Sequence, residues 1–279
     1  MLRPSRWADL PEELIITIAT NLDATRDRIA AMCTCRAWRD AVAMTTHSLT
    51  FQLPPGQRIT IRKAQQLNAL VKLAAHHCVD VHTVTFAQWH GLDDTALIAL
   101  LSHAAPRVEV SKQRKYIWST PMLPPLQELC MPSCTMVTDA ALHAPAASLR
   151  FVKRLVLSNC MQLTDASMMV LAEHAAALEQ LSVCGCGALT DKGVAAVGRG
   201  CPQLRCINLG WCEAVGDAGV GALAAAMGPR LLDIDLCGCF RVCVLQVVVF
   251  CKCTRGVAAA GDRRWRCVAC VALLQPGSP

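Results

Sequence analysis

Cysteine is the residue in this sequence with the widest chemical range, because a thiolate can act as a nucleophile or bind a metal. The chain has 279 residues, with 18 cysteines and 8 histidines. Five cysteines recur at spacings of 26, 26, 26 and 27 residues: Cys134, Cys160, Cys186, Cys212 and Cys239. Nucleophilic catalysis needs a cysteine held beside a base, which a regular spacing does not supply. The spacing instead favours a structural role in a repeated unit, and we expect no catalytic residue.

A metal site is the other chemistry that these residues allow. Four ligand-type residues near the end of the sequence could form a zinc ribbon: Cys251, Cys253, Cys267 and Cys270. C-x-C is an unusual half of a zinc site, however, and the surrounding sequence has little periodicity. A second cluster, His76-His77-Cys78, falls at the end of a predicted helix, where solvated or capping roles are favoured. We therefore expect no bound metal and no other cofactor.

The composition limits the class of partner. The net charge is +6, but residues 240–279 hold six basic residues and one acidic residue, so the rest of the chain is nearly neutral. A nucleic-acid interface needs a basic face on the folded part, and the sequence shows none. The N-terminal residues lack the pattern of a secretory signal, and no segment is apolar over the roughly 18 residues that a membrane span needs. We expect reduced cysteines, no nucleic-acid partner and no membrane partner.

The positions around the five repeated cysteines also recur. Eight, five and three residues before each cysteine the residue is always apolar: Leu126, Leu129, Met131; Val152, Leu155, Leu157; Leu178, Leu181, Val183; Leu204, Ile207, Leu209; Leu231, Ile234, Leu236. Three and five residues after the first four cysteines come an aliphatic residue and an aspartate, as in Leu163 and Asp165. A helix-like stretch follows, and we expect each aspartate to cap the helix that it begins. Each unit therefore predicts a strand, a turn and a capped helix.

This pattern resembles the cysteine-containing subclass of leucine-rich repeats, L-x-x-L-x-L-x-x-C followed by a "(I/L/V)TD" signature. The resemblance implies an α/β fold in which the units stack into a short curved solenoid, with parallel strands inside and helices outside. An earlier unit fits with Trp89 at the cysteine position. Before it, the sequence predicts a strand around 49–53 and a helix from about 62 to 78, which would form a capping unit.

The N-terminal residues have a different organisation. "LPEELIITIATNLDATRDRIAAMCTCRAWRDAV", residues 10–42, predicts three short helices with little aliphatic material, which need a partner to be stable. The Leu-Pro opening, the Leu-Ile pair and the ending C-R-x-W resemble the F-box. That resemblance implies that these residues contact a Skp-type adaptor: Leu10, Pro11, Leu14, Ile15 and Ile18. Leu22 and Trp38 would instead hold the box together, and Ala19 departs from the larger residue that is common there.

The two resemblances together predict the division of the chain and its function. The predicted segments are an F-box (1–45), capping and atypical repeats (46–106), an inserted loop (107–125), cysteine-containing repeats (126–241) and a tail (242–279). The architecture is similar to the substrate receptor of an SCF ubiquitin ligase, which implies a non-catalytic protein that binds the adaptor, through it a cullin, and a protein target. We expect it in the cytoplasm, the nucleus or both. The alternatives are a leucine-rich-repeat scaffold without a ligase and a metal-dependent nucleic-acid binder acting through the tail.

Residues between the inward apolar positions are expected to line the concave face of the solenoid. Those predicted to bind a target are Glu128, Arg154, Val156, Gln180, Ser182, Asn208, Trp211, Asp233 and Asp235. Trp211 is the large side chain of this set that could anchor a partner. Packing on the loop of the neighbouring repeat is its alternative role.

The repeat stops after Cys239, because the aspartate expected five residues later is Val244. We therefore predict no further unit, and the Cys- and Arg-rich tail allows three interpretations. It is disordered, or it is a translated intron that begins near Arg241, since Val-Cys-Val matches the codons GTG-TGC-GTG of a splice donor. Otherwise its β-prone segment "VLQVVVF" must pair with the last repeat to avoid aggregation.

Overall fold

The computed structural model describes residues 10, 12–20, 22, 25–52, 60–77, 81–87, 89–103, 126–227, 230–243 and 264–266. In this part of the chain, three short helices precede a series of units that each combine a strand with a helix. The described strands form one parallel sheet whose order follows the sequence. The predicted α/β fold, a helical N-terminal part followed by a solenoid, is therefore confirmed.

The N-terminal part consists of α1 (Glu12–Thr20), α2 (Thr25–Met32) and α3 (Arg36–Thr45). These helices enclose a small core in which Ile15, Trp38 and Val42 are buried. Leu22 packs against that core, so the predicted structural roles of Leu22 and Trp38 are confirmed.

Helix α2 connects the three helices to the rest of the protein. Arg28 Nε donates to the carbonyl oxygen of Leu22 at 2.6 Å, and its Nη1 donates to that of Thr45 at 3.1 Å. These bonds tie the segment after α1 to the end of α3. Ile29, the next residue, is buried in the core of the repeat units. The small helical core is therefore supported from one side by the solenoid.

The rest of the described chain alternates strands and helices. They are β1 (Ser48–Gln52), α4 (Ile61–His77), β2 (Thr83–Ala87), α5 (Asp94–His103), β3 (Glu128–Cys130), α6 (Ala140–His143), a 3₁₀ helix (Ala146–Phe151), β4 (Arg154–Val156), α7 (Asp165–His174), β5 (Gln180–Ser182), α8 (Asp191–Gly200), β6 (Cys206–Asn208), α9 (Asp217–Met227), β7 (Asp233–Asp235) and β8 (Arg264–Arg266). The predicted capping unit is present as β1 and α4. The predicted loop at 107–125 lies outside the described residues.

The inward apolar positions form continuous columns through the sheet. Leu129, Leu155, Leu181, Ile207 and Ile234 lie in register on neighbouring strands, and all five are buried. At the N-terminal end, aromatic rings replace aliphatic side chains: Phe51 stacks on Phe86 at 5.0 Å, and Trp89 packs edge-on against both. Trp89 is buried at the cysteine position of its unit, where its ring contacts replace the thiol contacts of the later units.

The repeated cysteines are buried in the turns that follow the strands. Four Sγ atoms donate at 3.0 to 3.3 Å to a carbonyl oxygen of the preceding unit: Cys160 to Met131, Cys186 to Leu157, Cys212 to Val183 and Cys239 to Leu209. Burial raises the pKa of the Cys160 thiol to about 11 and that of the Cys212 thiol to about 12. The thiols are therefore protonated at neutral pH, which the hydrogen bonds require and which suppresses nucleophilic reactivity.

The prediction that each aspartate caps its own helix is wrong. Thr164 caps α7, since its hydroxyl oxygen accepts from the Ala166 N–H, and Asp165 is already the first helical residue. The Asp165 carboxylate instead reaches the next unit, where it accepts from the N–H and hydroxyl of Thr190 and from the N–H of Gly193 at 3.1 Å. Those amides begin α8 and have no partner within that helix.

The same contact recurs along the solenoid. Its other pairs are Asp94 with Thr138, Asp139 with Thr164, Asp191 with Gly216, and Asp217 with Cys243. We call this series the aspartate ladder. The reason for the difference from the prediction is stacking: the start of the following helix lies close enough for a first-turn carboxylate to reach it, and a negative charge is favourable at a helix start.

The sheet extends one strand beyond the last predicted unit. Strand β8 pairs in parallel with β7, and Ile234 lies in register with Trp265. The prediction that no further repeat unit follows Cys239 stays a prediction, since the described residues beyond Cys243 are one short strand. "VLQVVVF", the segment predicted to pair with the last repeat, spans 244–250 and lies outside them.

Candidate protein-binding surfaces

Helix α1 presents large apolar side chains to solvent. Leu14 is 51% exposed and Ile18 is 37% exposed, and these residues lie four apart, which places them on the same side of a helix. We call this pair the α1 face. Two exposed aliphatic side chains on one short helix are a feature of a surface that a partner covers.

The other residues predicted to contact an adaptor are placed differently. Ile15 is only 1% exposed and packs inside the three-helix core, so the structure offers no Ile15 surface to a partner. Leu10 is partly buried and packs against the same core, and Pro11 lies outside the described residues. Ala19 is fully buried as well, so its small side chain is a feature of the core and not of the α1 face.

The concave side of the sheet contains a cavity of about 290 Å³. Seven of the nine residues predicted to bind a target line it: Arg154, Val156, Gln180, Ser182, Asn208, Asp233 and Asp235. Cys206, which the sequence also places on the concave face but outside the predicted target-binding set, lines the cavity as well. Glu128 lies on β3, one strand outside the cavity, and Trp211 lies beyond the end of β6. We call this region the concave pocket.

The charges of the concave pocket lie at its two ends. Arg154 is on β4, and the two aspartates are on β7, three strands away, which corresponds to about 14 Å. Between them, Gln180 and Asn208 are uncharged, and the Ser182 hydroxyl is hydrogen-bonded to that of Ser158 at 2.9 Å. Burial, assisted by the nearby Asp233, raises the pKa of the Cys206 thiol, which keeps it neutral. The centre of the pocket is thus an uncharged hydrogen-bonding surface.

Trp211 combines exposure with an unusual backbone conformation. The residue before each repeated cysteine is left-handed, and Trp211 has a φ of 59° where Gly185 has 74° and Gly238 has 77°. A bulky residue rarely adopts this conformation. The indole packs edge-on against Phe240 at 6.0 Å and lies so close to Gly238 that an added Cβ there would be 2.6 Å from the ring. The alternative role, packing on the neighbouring unit, is therefore present, although 58% of Trp211 remains exposed.

The described residues contain no group of three or more histidine, cysteine or acidic side chains that could hold a metal ion. The four cysteines of the candidate zinc ribbon, Cys251, Cys253, Cys267 and Cys270, lie outside those residues, as does Cys78. His76 and His77 end α4. None of the described helices has the length and apolar character of a membrane span.

Comparisons with known proteins match two segments of the chain. Residues 7–48 match the F-box-like family, and residues 200–224 match the family described as Leucine Rich repeat. An F-box protein of Arabidopsis thaliana is 39% identical over 51 residues, which are 18% of this chain and span only 14% of that protein. A chain from the crystal structure of the yeast Rad7 and Elc1 complex aligns with 84% of this chain and 70% of its own length, at 13% identity and a TM-score of 0.40, which is too low to bear on function. The protein therefore carries an F-box-like domain at its N-terminus, followed by leucine-rich repeats.

Proposed function

We propose that this protein is the substrate-recognition subunit of an SCF-type cullin-RING ubiquitin ligase. The F-box-like domain binds a Skp-type adaptor and through it a cullin, and the repeats bind a protein that is ubiquitinated and degraded. The protein itself is an adaptor and catalyses no step. It acts in the cytoplasm, the nucleus or both.

The observation that carries this proposal is the α1 face. Residues 7–48 match a family whose domains are typically non-catalytic adaptors, and α1 turns Leu14 and Ile18 to solvent while Ile15 and Trp38 hold the helices together. Because these side chains are already partly buried, covering their remaining exposed area with an adaptor is worth about 1 kcal/mol each. The proposed adaptor contacts are therefore Leu14 and Ile18, together with Leu10 and with Pro11, which lies outside the described residues.

The concave pocket is the proposed site for the target. Its uncharged centre suits a polypeptide segment that is held by hydrogen bonds, and Arg154 and Asp233 flank that centre at opposite ends. Because affinity at protein interfaces depends on a few anchors that the partner buries, the exposed Gln180 and the partly buried Asn208 are the side chains to test first.

Adaptor binding tests the proposal directly. Binding of a purified Skp-type adaptor is measured for the wild-type chain and for Leu14→Ala/Ile18→Ala. We expect the double variant to bind at least about tenfold more weakly, since it removes most of the apolar area of the α1 face. Ile61→Ala/Met169→Ala is the matched control, because it truncates two exposed apolar residues on α4 and α7.

Two outcomes would contradict the proposal. A folded wild-type chain that does not bind the adaptor would leave a leucine-rich-repeat scaffold without a ligase. Equal binding by wild type and Leu14→Ala/Ile18→Ala would reject the α1 face as the contact.

A further inference from the structure

Trp211 occupies a backbone position that the other cysteine units fill with small or polar residues. The residue before each repeated cysteine has a positive φ, and the other four are Ser133, Asn159, Gly185 and Gly238. Glycine and asparagine adopt this conformation readily, whereas a bulky aromatic residue does so at a cost. Strain of this kind is concentrated at functional sites. Formation of the turn therefore does not explain why this position holds a tryptophan.

The following unit holds the indole of Trp211 in one place. A Cβ added to Gly238 would lie 2.6 to 3.0 Å from three atoms of the indole, so the ring lies directly against the glycine backbone. The Trp211 N–H donates to the carbonyl oxygen of Cys237 at 2.6 Å, and the Phe240 ring lies 6.0 Å away at an angle of 79°. The indole is thus preorganised before any partner arrives.

Trp211 and Phe240 together form an exposed aromatic surface, which we call the aromatic corner. Trp211 is 58% exposed and Phe240 is 73% exposed. In the part of the chain that the structure describes, the indole N–H has no hydrogen-bond acceptor. The exposed charged residues nearest in sequence have opposite signs, Glu213 and Arg241. The corner therefore offers a partner two nearly perpendicular rings and one hydrogen-bond donor, without a net charge.

The aromatic corner continues the surface of the concave pocket. Asp235, which lines the pocket, accepts from the Cys237 N–H at 3.0 Å, and the carbonyl of the same Cys237 accepts from Trp211. Asn208 lies in register with Asp235, three residues before Trp211. An extended polypeptide covers about 3.3 Å per residue, so a segment that leaves the pocket reaches the corner within a few residues.

We propose that the aromatic corner binds a proline of the target, presented in an extended polyproline II segment. The apolar proline ring packs on the two aromatic faces, and the indole N–H donates to a backbone carbonyl, which a polyproline II helix leaves unpaired. The opposite charges of Glu213 and Arg241 favour neither a basic nor an acidic side chain. This inference rests on the proposed function only in that the repeats bind a protein, so it holds whether or not the chain binds an adaptor.

Nuclear magnetic resonance of the indole N–H groups in the full chain tests the corner. The probe is a decapeptide of proline, and the comparison peptides are an alternating alanine–glutamine decapeptide and a lysine decapeptide. The Trp211 signal is assigned by its loss in Trp211→Asn. We expect the proline peptide to shift this signal saturably and to bind at least about tenfold more tightly than either comparison peptide.

The variants separate recognition from packing. Trp211→Asn gives the turn the residue of the Cys160 unit, so we expect its thermal stability to equal or exceed that of wild type while proline binding is lost. Phe240→Ala should weaken binding at least about fivefold without unfolding the protein, because the side chain is exposed. Met161→Ala is the matched control, since Met161 also directly follows a repeated cysteine and is 57% exposed.

Two results would keep this proposal distinct from adaptor binding, and three would overturn it. Leu14→Ala/Ile18→Ala and Met161→Ala should both bind the proline peptide as wild type does. An unshifted Trp211 signal, binding of the lysine or alanine–glutamine peptide that equals that of proline, or a Trp211→Asn that is less stable but still binds proline would each reject the corner as a proline site.

Discussion

The aspartates show how one side chain can serve a different helix from the one it begins. Asp165 is the first residue of its own helix and Asp139 directly precedes its helix, but the oxygens of both accept from the amides and hydroxyls that open the following helix. The bond is charge-assisted, and such bonds contribute about 1.5–3 kcal/mol when they are shielded from water. Stability in this part of the chain is therefore a property of neighbouring pairs of units.

Replacement of Asp139 should lower stability by an amount that depends on pH. Burial alone would raise the pKa of Asp139, but hydrogen bonds from Ser167 and Thr164 outweigh it and hold the pKa below its ordinary value. The carboxylate therefore stabilises the fold above its unfolded pKa of about 3.9, and this contribution disappears as the pH falls through the lower, folded pKa. We expect Asp139→Asn to lower the free energy of unfolding at pH 7 by about 1 kcal/mol, because solvent screens this partly exposed group.

Urea unfolding from pH 7 down to about pH 3 measures this difference, which should shrink below about pH 4. Glu213→Gln, on an exposed side chain, is the control and should leave stability unchanged. A difference that stays constant over the whole range would contradict the assignment.

Gly193 is a donor in the aspartate ladder, since its N–H donates to the Asp165 carboxylate, and its replacement tests how closely the two units pack. A Cβ at this third position of α8 would overlap Asp165 Oδ1 and come within 3.1 Å of the Met168 side chain. Although alanine is favoured over glycine in a helix by about 1 kcal/mol, we expect Gly193→Ala to destabilise the fold by about 1–3 kcal/mol. Gly187→Ala in the preceding turn is the matched control, since nothing lies within 4 Å of its added Cβ. Thermal unfolding distinguishes the two, and a more stable Gly193→Ala would show that Asp165 can move aside.

Among the elements, α1 has apolar residues in two environments. Ile15 and Ala19 face the three-helix core, while Leu14 and Ile18 face solvent. The apolar residues of α1 surround more than half of the helix, so the sequence does not specify which side packs on α3. The distinction comes from the tertiary contact with Trp38 and Val42.

Truncating residues on the two sides of α1 should have different effects on stability. We expect Ile15→Ala to cost about 2–4 kcal/mol through the cavity it leaves, and Leu14→Ala to cost less than about 1 kcal/mol. Hydrogen exchange of the α1 to α3 amides measures both. If Ile15→Ala instead kept full protection and weakened adaptor binding, the contact role predicted from the sequence would be correct.

The parts of the fold that could be predicted from the sequence are those in which the same type of residue recurs at the same offset in every unit. The column of buried residues from Leu129 to Ile234 could be predicted because every unit has an apolar residue at the same offset. Burial at these positions requires only that the side chain is apolar. The role of Asp165 could not be predicted from the sequence. Whether its carboxylate caps its own helix or reaches the next helix depends on the distance between stacked units, which the sequence does not give. Strand β8 could not be predicted either, since 31 residues separate Trp265 from Ile234 and no aspartate marks the end of its unit.

For the whole molecule, the cysteines should report on unfolding. Six described cysteines are buried, namely Cys134, Cys160, Cys186, Cys201, Cys212 and Cys239, whereas Cys33 and Cys243 are exposed. Burial raises the pKa of the Cys201 thiol to about 12, so little thiolate exists at neutral pH even when a reagent penetrates. We expect brief iodoacetamide labelling along a urea titration, read by mass spectrometry, to modify Cys33 and Cys243 throughout and the six others only across the unfolding transition. Labelling of Cys186 in the folded protein at the rate of Cys33 would contradict this.

Backbone hydrogen bonds between units run in both directions, but the side-chain bonds of the aspartate ladder and of the repeated cysteines run in one direction along the chain. In the aspartate ladder the acceptor precedes the donor, as with Asp165 and Thr190, and in the cysteine contacts the Leu157 carbonyl likewise precedes the Cys186 thiol. During translation, each emerging unit therefore meets acceptors that are already folded. At about 5–20 residues per second a unit of about 26 residues leaves the ribosome in roughly one to five seconds, which is ample time for it to dock before the next appears. The solenoid is thus suited to growth from its N-terminus during synthesis, one unit at a time.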